Sequence, residues 1–143
     1  MKKNYIITLV VVVAVLIVSV ITFGVLSGKQ MKNLEKAEFY KIGEAQLKTI
    51  NSATNTNLNL KNYSYGSSNG EHKKFFEYAV SSALNVYNEY SEYLLEEENF
   101  IMETEESKMR LFSKEYENKD ILKVVISYGD DTVDVNLIYL YID

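Results

Sequence analysis

The distribution of apolar residues divides the chain into three parts. An unbroken apolar run from Ile6 to Leu26 carries no charge, apolar residues at helical spacing follow it, and β-branched and aromatic residues are frequent after residue 120. The run has the roughly 20 residues that a helix needs to cross the hydrocarbon of a bilayer. In lipid a lone segment must satisfy its backbone polar groups internally, so its many valines do not make it a strand. We predict an N-terminal transmembrane helix.

A cleaved signal peptide is the alternative for the same segment. Lys2 and Lys3 form a short basic leader, and the stretch that ends at Ser27 offers small residues near a cleavage point. Signal-peptide cores usually contain about 7 to 15 apolar residues. Because this core is longer, we favour an uncleaved anchor.

The orientation follows from the leader and from the size of the following domain. Lys29 and Lys32 on the far side count against an exported body. The positive-inside rule weakens, however, when a whole domain follows the span. A basic leader before one early hydrophobic segment is typical of exported proteins. We therefore predict a single-pass protein of the cell membrane with an extracytoplasmic body.

Residues 29–50 have apolar positions at helical spacing. Phe39, Ile42 and Ile50 recur with a period near that of a helix, with Gln46 between them. The apolar face is narrow. We expect a stalk helix, or a helix that lies against the body.

Part of this segment carries a family resemblance. The sequence KAEFYKIGEAQLKTI, which ends at Ile50, resembles the A-x-F-Y-x-x-x-E-A-x-L pattern of minor pilins and competence pseudopilins. In that family the pattern lies on a helix soon after a single hydrophobic helix. The family's prepilins also carry a Gly at the cleavage site and a Glu early in the mature helix, whereas here Asn4 and Tyr5 follow the lysines and the first Glu is Glu35. The resemblance implies a pilus-like assembly subunit whose prepilin cleavage motif is missing.

Residues 51–70 are rich in Asn, Ser, Thr and Gly. These residues favour turns over regular elements. The segment predicts a loop or linker. The alternative is a short edge strand, which the spacing of Leu58, Leu60, Tyr63 and Tyr65 favours.

An amphipathic helix is predicted from Asn69 to Glu98. Ser68 and Glu71 have the spacing of a capping box, in which the two side chains bond to each other's backbone amides. Apolar residues three and four positions apart then form one face, opposite a polar one. The apolar positions are Phe76, Val80, Ala83, Tyr87, Tyr90 and Leu94. The pattern favours a helix packed on its own sheet, and a coiled-coil seam with a second copy is the alternative.

Strand-forming residues dominate the C-terminal part. Residues 121–128 and 132–142 are rich in β-branched and aromatic residues and flank the hairpin signal at 129–131. Two weaker strands are predicted near 100–104 and 108–113. Together these four strands predict an antiparallel meander.

The predicted fold class is α+β, with an N-terminal transmembrane helix and an amphipathic helix packed on an antiparallel β meander. The predicted domains are an N-terminal membrane anchor at 1–28, a stalk helix and Asn/Ser-rich linker at 29–70, and an α+β extracytoplasmic domain at 71–143.

Composition and charge restrict the partners. The formal net charge is −5, and Lys2 and Lys3 precede the membrane run, so the body is more acidic than the whole chain. An acidic body disfavours nucleic acid as a partner. We expect membrane lipid to contact the run from Ile6 to Leu26, and a protein to contact the body. The absence of Cys excludes disulfides, and the absence of Pro and Trp beside abundant Asn, Lys and Ile indicates an AT-rich, bacterial genome.

The sequence offers little chemistry. The single histidine, His72, is predicted as a solvated side chain in the first turn of the helix. The acidic run from Glu96 to Glu106 and the trio Asp130, Asp131 and Asp134 lack the spacing of a calcium loop and indicate a solvated acidic surface. No Gly-rich phosphate loop and no G-x-S-x-G elbow occurs. We predict no catalytic, cofactor-binding or metal residue, and we expect that the protein is not an enzyme.

These features predict a structural or interaction subunit of a membrane or surface assembly. A membrane-tethered sensor of a small ligand is the alternative, because a helix on a curved sheet often encloses an apolar pocket. A minor-pilin-like subunit is the other alternative. The sequence leaves the oligomeric state open.

Overall fold

The computed structural model describes residues 28–142. The predicted membrane run from Ile6 to Leu26 lies outside these residues. Within residues 28–142, no helix has the length and apolar character needed to cross a membrane. The described part of the chain is α+β, with antiparallel sheets and few helices.

Residues 28–142 form three helices and eight strands. The helices are α1 Gly28–Glu35, α2 Ile50–Ala53 and α3 Ala83–Glu96. The strands are β1 Phe39–Ile42, β2 Ala45–Lys48, β3 Asn59–Ser68, β4 Glu71–Ala79, β5 Ile101–Glu106, β6 Met109–Glu115, β7 Ile121–Tyr128 and β8 Thr132–Leu140. β1 and β2 form a two-stranded sheet, and the other strands form a six-stranded antiparallel sheet in the order β3-β4-β8-β7-β6-β5.

The predicted C-terminal meander is confirmed. β7 and β8 coincide closely with the segments predicted at 121–128 and 132–142, and the turn at 129–131 joins them. The two weaker strands are β5 and β6. Richness in β-branched and aromatic residues and the turn signal were sufficient here, because the central strands are buried on both faces, as the consecutive buried residues Val124, Val125 and Ile126 show.

The helix predicted from Asn69 to Glu98 is wrong over its first part, where the chain forms β4. Asn69 and Gly70 have φ values of 48° and 74° and form the two-residue turn between β3 and β4, in which Ser68 pairs with Glu71. Positive φ at both central residues is the mark of a type I′ turn, for which Asn-Gly is the preferred sequence. A hairpin turn was therefore mistaken for a helix start, and α3 begins only at Ala83.

The linker predicted at 51–70 is also wrong over its second part. β3 is a ten-residue strand at one edge of the six-stranded sheet. The alternative prediction of a short edge strand therefore agrees better with the structure than the predicted linker does. A bulge between Leu60 and Asn62 shifts the register. The shift places Leu60 and Tyr63 on the face of the sheet that bears the core, opposite Tyr78 and Phe76.

The stalk helix predicted through 29–50 is wrong beyond Glu35, where α1 ends. β1 and β2 form a hairpin with a two-residue loop, and Gly43 holds the first loop position at φ +54°. A Cβ at Gly43 would lie 2.5 Å from ring atoms of Tyr139. Glycine is therefore required both for the backbone conformation and for the close approach to the sheet.

The main core lies between one face of the six-stranded sheet and a layer formed by α3 and the β1–β2 hairpin. α3 packs on β7 and β8, and β1 packs on β4 and β8. The residues predicted for the apolar helix face, Phe76 on β4 among them, are all buried. The largest fully buried side chains are Tyr78, Tyr90, Tyr139, Phe112, Leu47, Ile50, Leu94, Leu122, Ile126, Leu137, Val124 and Val133.

Buried tyrosine hydroxyls connect the hairpin to the sheet and to α3. The hydroxyls of Tyr40 on β1 and Tyr78 on β4 are 2.9 Å apart, and the backbone amide of Ile50 donates to Tyr40 Oη at 3.1 Å. Burial raises the pKa of Tyr40 well above its ordinary value, so its hydroxyl stays protonated at neutral pH.

Lys48, at the end of β2, has both of its backbone polar groups bonded to tyrosines of α3. Its amide donates to Tyr93 Oη at 3.0 Å, and its carbonyl accepts from Tyr90 Oη at 3.0 Å. Buried polar groups without partners are costly. These two bonds therefore fix the position of the hairpin against the helix.

We predict that Tyr90→Phe lowers the free energy of unfolding by about 1 to 2 kcal/mol, because it leaves the Lys48 carbonyl without this partner. The full chain in detergent should melt about 5 to 10 °C lower when followed by circular dichroism. Tyr141→Phe is the matched control, since Tyr141 is 40% exposed and its hydroxyl forms no hydrogen bond within residues 28–142. Equal melting of the two variants would contradict the role assigned to the Tyr90 hydroxyl.

Candidate functional site

Large apolar side chains are exposed where α3 is followed by β5. Leu95 in the last turn of α3 is 38% exposed, and Ile101 and Met102 at the start of β5 are 70% and 39% exposed. The chain turns tightly between them, because the amide of the buried Phe100 donates to the carbonyl of Leu94 at 2.9 Å. Ile101 and Met102 are consecutive in β5, opposite Ser113 and Phe112, and therefore point to opposite faces of the strand. We call Leu95, Ile101 and Met102, the exposed apolar residues around this corner, the corner patch. Neighbouring exposed apolar residues are typical of interaction sites.

Glutamates surround the corner patch. The chain from 92 to 107 contains no Lys or Arg. Its acidic residues are Glu92, Glu96, Glu97, Glu98, Glu103, Glu105 and Glu106. Some of these carboxylates pair with cations from other strands, as Glu105 does with Arg110 at 2.7 Å. Glu92, Glu96 and Glu106 form no ion pair within the described residues, so the surround is acidic.

β5 is an edge strand that is poorly suited to pairing with another strand. A bulge between Met102 and Thr104 interrupts its ladder with β6. Charged residues and bulges on an edge oppose the addition of a foreign strand. A partner at this edge would therefore contact side chains of the corner patch rather than extend the sheet.

A concavity of about 410 Å³ opens between the β1–β2 turn and the β3–β4 hairpin. Its volume lies within the range of small-ligand pockets. Three lysines and no carboxylate line it. The lining residues are Lys41, Ile42, Gly43, Tyr65, Gly66, Ser67, His72, Lys73 and Lys74. We call it the hairpin concavity.

The lysines of the hairpin concavity differ in their partners. Lys73 pairs with Glu71 on the same strand, with Nζ and Oε2 3.0 Å apart. Lys74 is half-buried, and its Nζ donates to the backbone carbonyl of Lys41 at 2.6 Å. Burial lowers the pKa of Lys74 from its ordinary value. Within residues 28–142, Lys41 and Lys74 form no ion pair with a carboxylate.

A row of aromatic rings leads from the core to the hairpin concavity. Tyr40 lies against Phe76 with ring centroids 4.4 Å apart, Phe76 against Tyr63 at 5.0 Å, and Tyr63 against Tyr65 at 6.0 Å. Tyr65 pairs with Lys74 across the strands and is 55% exposed. The buried end of the row holds the exposed ring in place.

The C-terminal end of the described chain borders the same region. The ring of Tyr141 meets His72 edge-on at 5.2 Å, and the Tyr141 amide donates to the carbonyl of Gly70 at 2.9 Å. Asp120 anchors this end, because its carboxylate accepts from the Ile142 amide at 3.0 Å and from Tyr139 Oη at 2.8 Å. The bond from the Ile142 amide is the main cause that lowers the pKa of Asp120.

Asp130, Asp131 and Asp134, which were predicted to form a solvated acidic surface, differ in burial. Asp130 and Asp131 are exposed in the β7–β8 turn, whereas Asp134 is partly buried on β8. Asp134 lies opposite Glu77 on β4, and its Oδ2 accepts from Ser127 Oγ at 3.4 Å. Its Oδ1 is buried and has no hydrogen-bond partner within the described residues. Burial, and then the charge of Glu77, raise the pKa of Asp134 to about 6.

The remaining sequence candidates are dispersed. His72 lies on β4 and lines the hairpin concavity, instead of occupying a helical turn. The run from Glu96 to Glu106 covers the end of α3, the following turn and β5. Among residues 28–142, no group of three or more His, Cys, Asp or Glu side chains has the geometry to hold a metal ion.

The hairpin concavity was missed because its two hairpins were interpreted as a helix and a linker. Two signals in the sequence point to them. One is Asn69-Gly70, and the other is the alternation of apolar and polar residues on either side of Gly43. Lys41 and Lys74 meet only after both turns have formed.

The chain was compared with models of protein families, with curated proteins and with solved structures, and no match was found in any of the three.

We predict that Asp134→Asn stabilises the protein at neutral pH but not in acid. The raised pKa means that the fold disfavours the charged carboxylate, so its cost is absent below the ordinary pKa and complete above pH 6. With an allowance for solvent screening, the gain at pH 7.5 should be about 1 to 2 kcal/mol.

Melting curves of the full chain at pH 3.5 and pH 7.5 test this. The exposed Asp131→Asn is the control and should leave both curves unchanged. A variant Asp134→Asn that melts like the parent at pH 7.5 would show that the Asp134 carboxylate is not destabilised by its surroundings.

Proposed function

We propose that the protein is a single-pass, membrane-anchored interaction subunit whose extracytoplasmic body binds a basic surface on a protein partner. The run from Ile6 to Leu26 provides the anchor. The observation that carries the proposal is the corner patch, where Ile101 is 70% exposed within an acidic surround.

The composition of the corner patch supports a protein partner. Burying an exposed Ile, Leu or Met side chain completely contributes about 1.5 to 3 kcal/mol. Apolar residues at the centre and charged residues at the rim are typical of protein interfaces. An acidic rim accelerates association with a basic surface and rejects an acidic one.

The alternative function, a sensor of a small ligand, is supported by a different part of the body from the one expected. The interior between α3 and the sheet, where an apolar pocket was expected, is filled by Tyr78, Tyr90, Leu94 and Phe112. The hairpin concavity, on the outside of the hairpins, supports the sensor instead. The other alternative, a minor-pilin-like subunit, also implies contacts with other protein subunits and is therefore a special case of the interaction subunit.

We predict that the body is outside the cytoplasm. The chain has no native Cys, so a single engineered thiol gives an unambiguous label. Asn85→Cys, on the exposed side of α3, should react with a membrane-impermeant maleimide in intact cells, and Asn4→Cys only after lysis. The reverse pattern would refute the orientation, and release of the body into the medium would show a cleaved signal peptide.

We predict that a photo-crosslinking amino acid at Ile101 joins the full chain to one protein partner in the native membrane. The same amino acid at Leu84, which is 51% exposed on α3, is the matched control and should give no such product. Because the rim is acidic, the yield should fall as the salt concentration rises.

A second arm uses Met102→Asp in the chain that carries the crosslinker at Ile101. The charge should abolish the product without unfolding the body, since Met102 is 39% exposed. A product of equal yield from Ile101 and Leu84, or one insensitive to Met102→Asp, would show that the corner patch is not the surface that binds the partner.

A further inference from the structure

We propose that the hairpin concavity is a binding site for a small oxyanion ligand, in which Lys74 and Lys41 contact a phosphate or carboxylate group and Tyr65 packs on a ring of the same ligand. This inference goes beyond partner binding and does not depend on it. The site lies at the β3 edge of the sheet, and the corner patch lies at the β5 edge, roughly 20 Å away across the intervening strands.

The local charge supports an anion. The chain as a whole carries a net charge of −5, yet the lining of the hairpin concavity contains three lysines and no carboxylate. Lys73 is neutralised by Glu71 at 3.0 Å, which leaves the charges of Lys41 and Lys74. A concave surface with unneutralised charge of one sign concentrates ligands of the opposite sign.

The ammonium group of Lys74 has hydrogen-bond donors available for a ligand. A lysine ammonium has three donors, and one of them is used by the Lys41 carbonyl at 2.6 Å. The Lys74 side chain is half-buried, its pKa is lowered by that burial, and its ammonium has no carboxylate partner in the described part of the chain. An anion in the concavity would provide the missing counter-charge and accept a remaining N–H.

The size and lining define the ligand further. A volume of about 410 Å³ exceeds what a single phosphate or carboxylate group needs, so the concavity has room for further atoms of the ligand. Tyr65 stands across the strands from Lys74, and its ring is 55% exposed. A flat ring or the apolar face of a sugar attached to the anionic group would cover it.

Two sources supply such a group outside a cell membrane, namely a soluble molecule and the headgroup of an anionic lipid. The shared chemistry is an oxyanion held by ammonium groups. The probes used below are inorganic phosphate, phenyl phosphate, and nanodiscs containing phosphatidylglycerol.

Selective ¹⁵N-glycine labelling of the full chain reports on the site. The chain has 6 glycines, and Gly43 and Gly66 line the hairpin concavity, whereas Gly28 and Gly129 do not. The chain is held in maltoside detergent and phosphate-free buffer. Titration with phenyl phosphate should shift the amide signals of Gly43 and Gly66 saturably and leave Gly28 and Gly129 in place.

Variants separate the two parts of the site. Lys74→Met keeps the length of the side chain and should weaken phenyl phosphate binding roughly tenfold or more, because a charge-assisted hydrogen bond is lost. Lys119→Met, on the β6–β7 turn, is the control and should bind like the parent. Tyr65→Ala should remove the preference for phenyl phosphate over inorganic phosphate. An unchanged signal of Gly129, whose amide donates to the Thr132 carbonyl in the β7–β8 turn, shows that each variant is folded.

The lipid arm identifies the source. Shifts of Gly43 and Gly66 on transfer to phosphatidylglycerol nanodiscs, absent in Lys74→Met, would assign the group to a headgroup, and shifts with phenyl phosphate alone would assign it to a soluble ligand. No saturable shift with any probe would overturn the inference. It would also be overturned by equal binding to Lys74→Met, or by shifts of Gly129 as large as those of Gly43.

Discussion

The need to satisfy buried tyrosine hydroxyls governs how this fold is assembled. With no Trp and no Cys in the chain, tyrosine provides much of the aromatic bulk of the core. Each buried Tyr brings a polar atom that requires a partner. The backbone of Lys48 provides two such partners, for Tyr90 and Tyr93, and the hydroxyls of Tyr40 and Tyr78 provide for each other. These bonds tie α3 to the β1–β2 hairpin and the hairpin to the six-stranded sheet.

The position of the hairpin in turn creates the hairpin concavity. The bond between Tyr40 and Tyr78 holds β1 over the sheet, and Gly43 brings the turn against the ring of Tyr139. The Lys41 carbonyl is thereby presented to the Lys74 ammonium on β4. A surface feature with two unneutralised lysines is thus a consequence of how the core satisfies its polar atoms.

The sequence predicted the meander but not the hairpins, and periodicity explains both results. Residues four apart share a face in a helix and also in a strand, so Phe76 and Val80 fit either element. Tyr78, buried between them, is compatible only with a strand. In the meander Val133, Val135 and Leu137 alternate with polar residues, which leaves no such ambiguity. Where periodicity fits both a helix and a strand, the turn residues distinguish them. At Asn69-Gly70 the hairpin signal competes with Ser68 and Glu71, which have the spacing of a helix capping box.

The acidic run from Glu96 to Glu106 is visible in the sequence, whereas the hairpin concavity was not predictable, because it depends on tertiary placement that net charge conceals. Lys41 and Lys74 are distant in sequence, and they lie together only because two separate hairpins fold toward each other. The glutamates of β5 lie at the other edge of the sheet. The body therefore carries acidic and basic surfaces at opposite edges of one rigid sheet. Since screening in physiological salt acts over about 8 Å, charges roughly 20 Å apart act almost independently, so the two sites that we propose would not compete electrostatically.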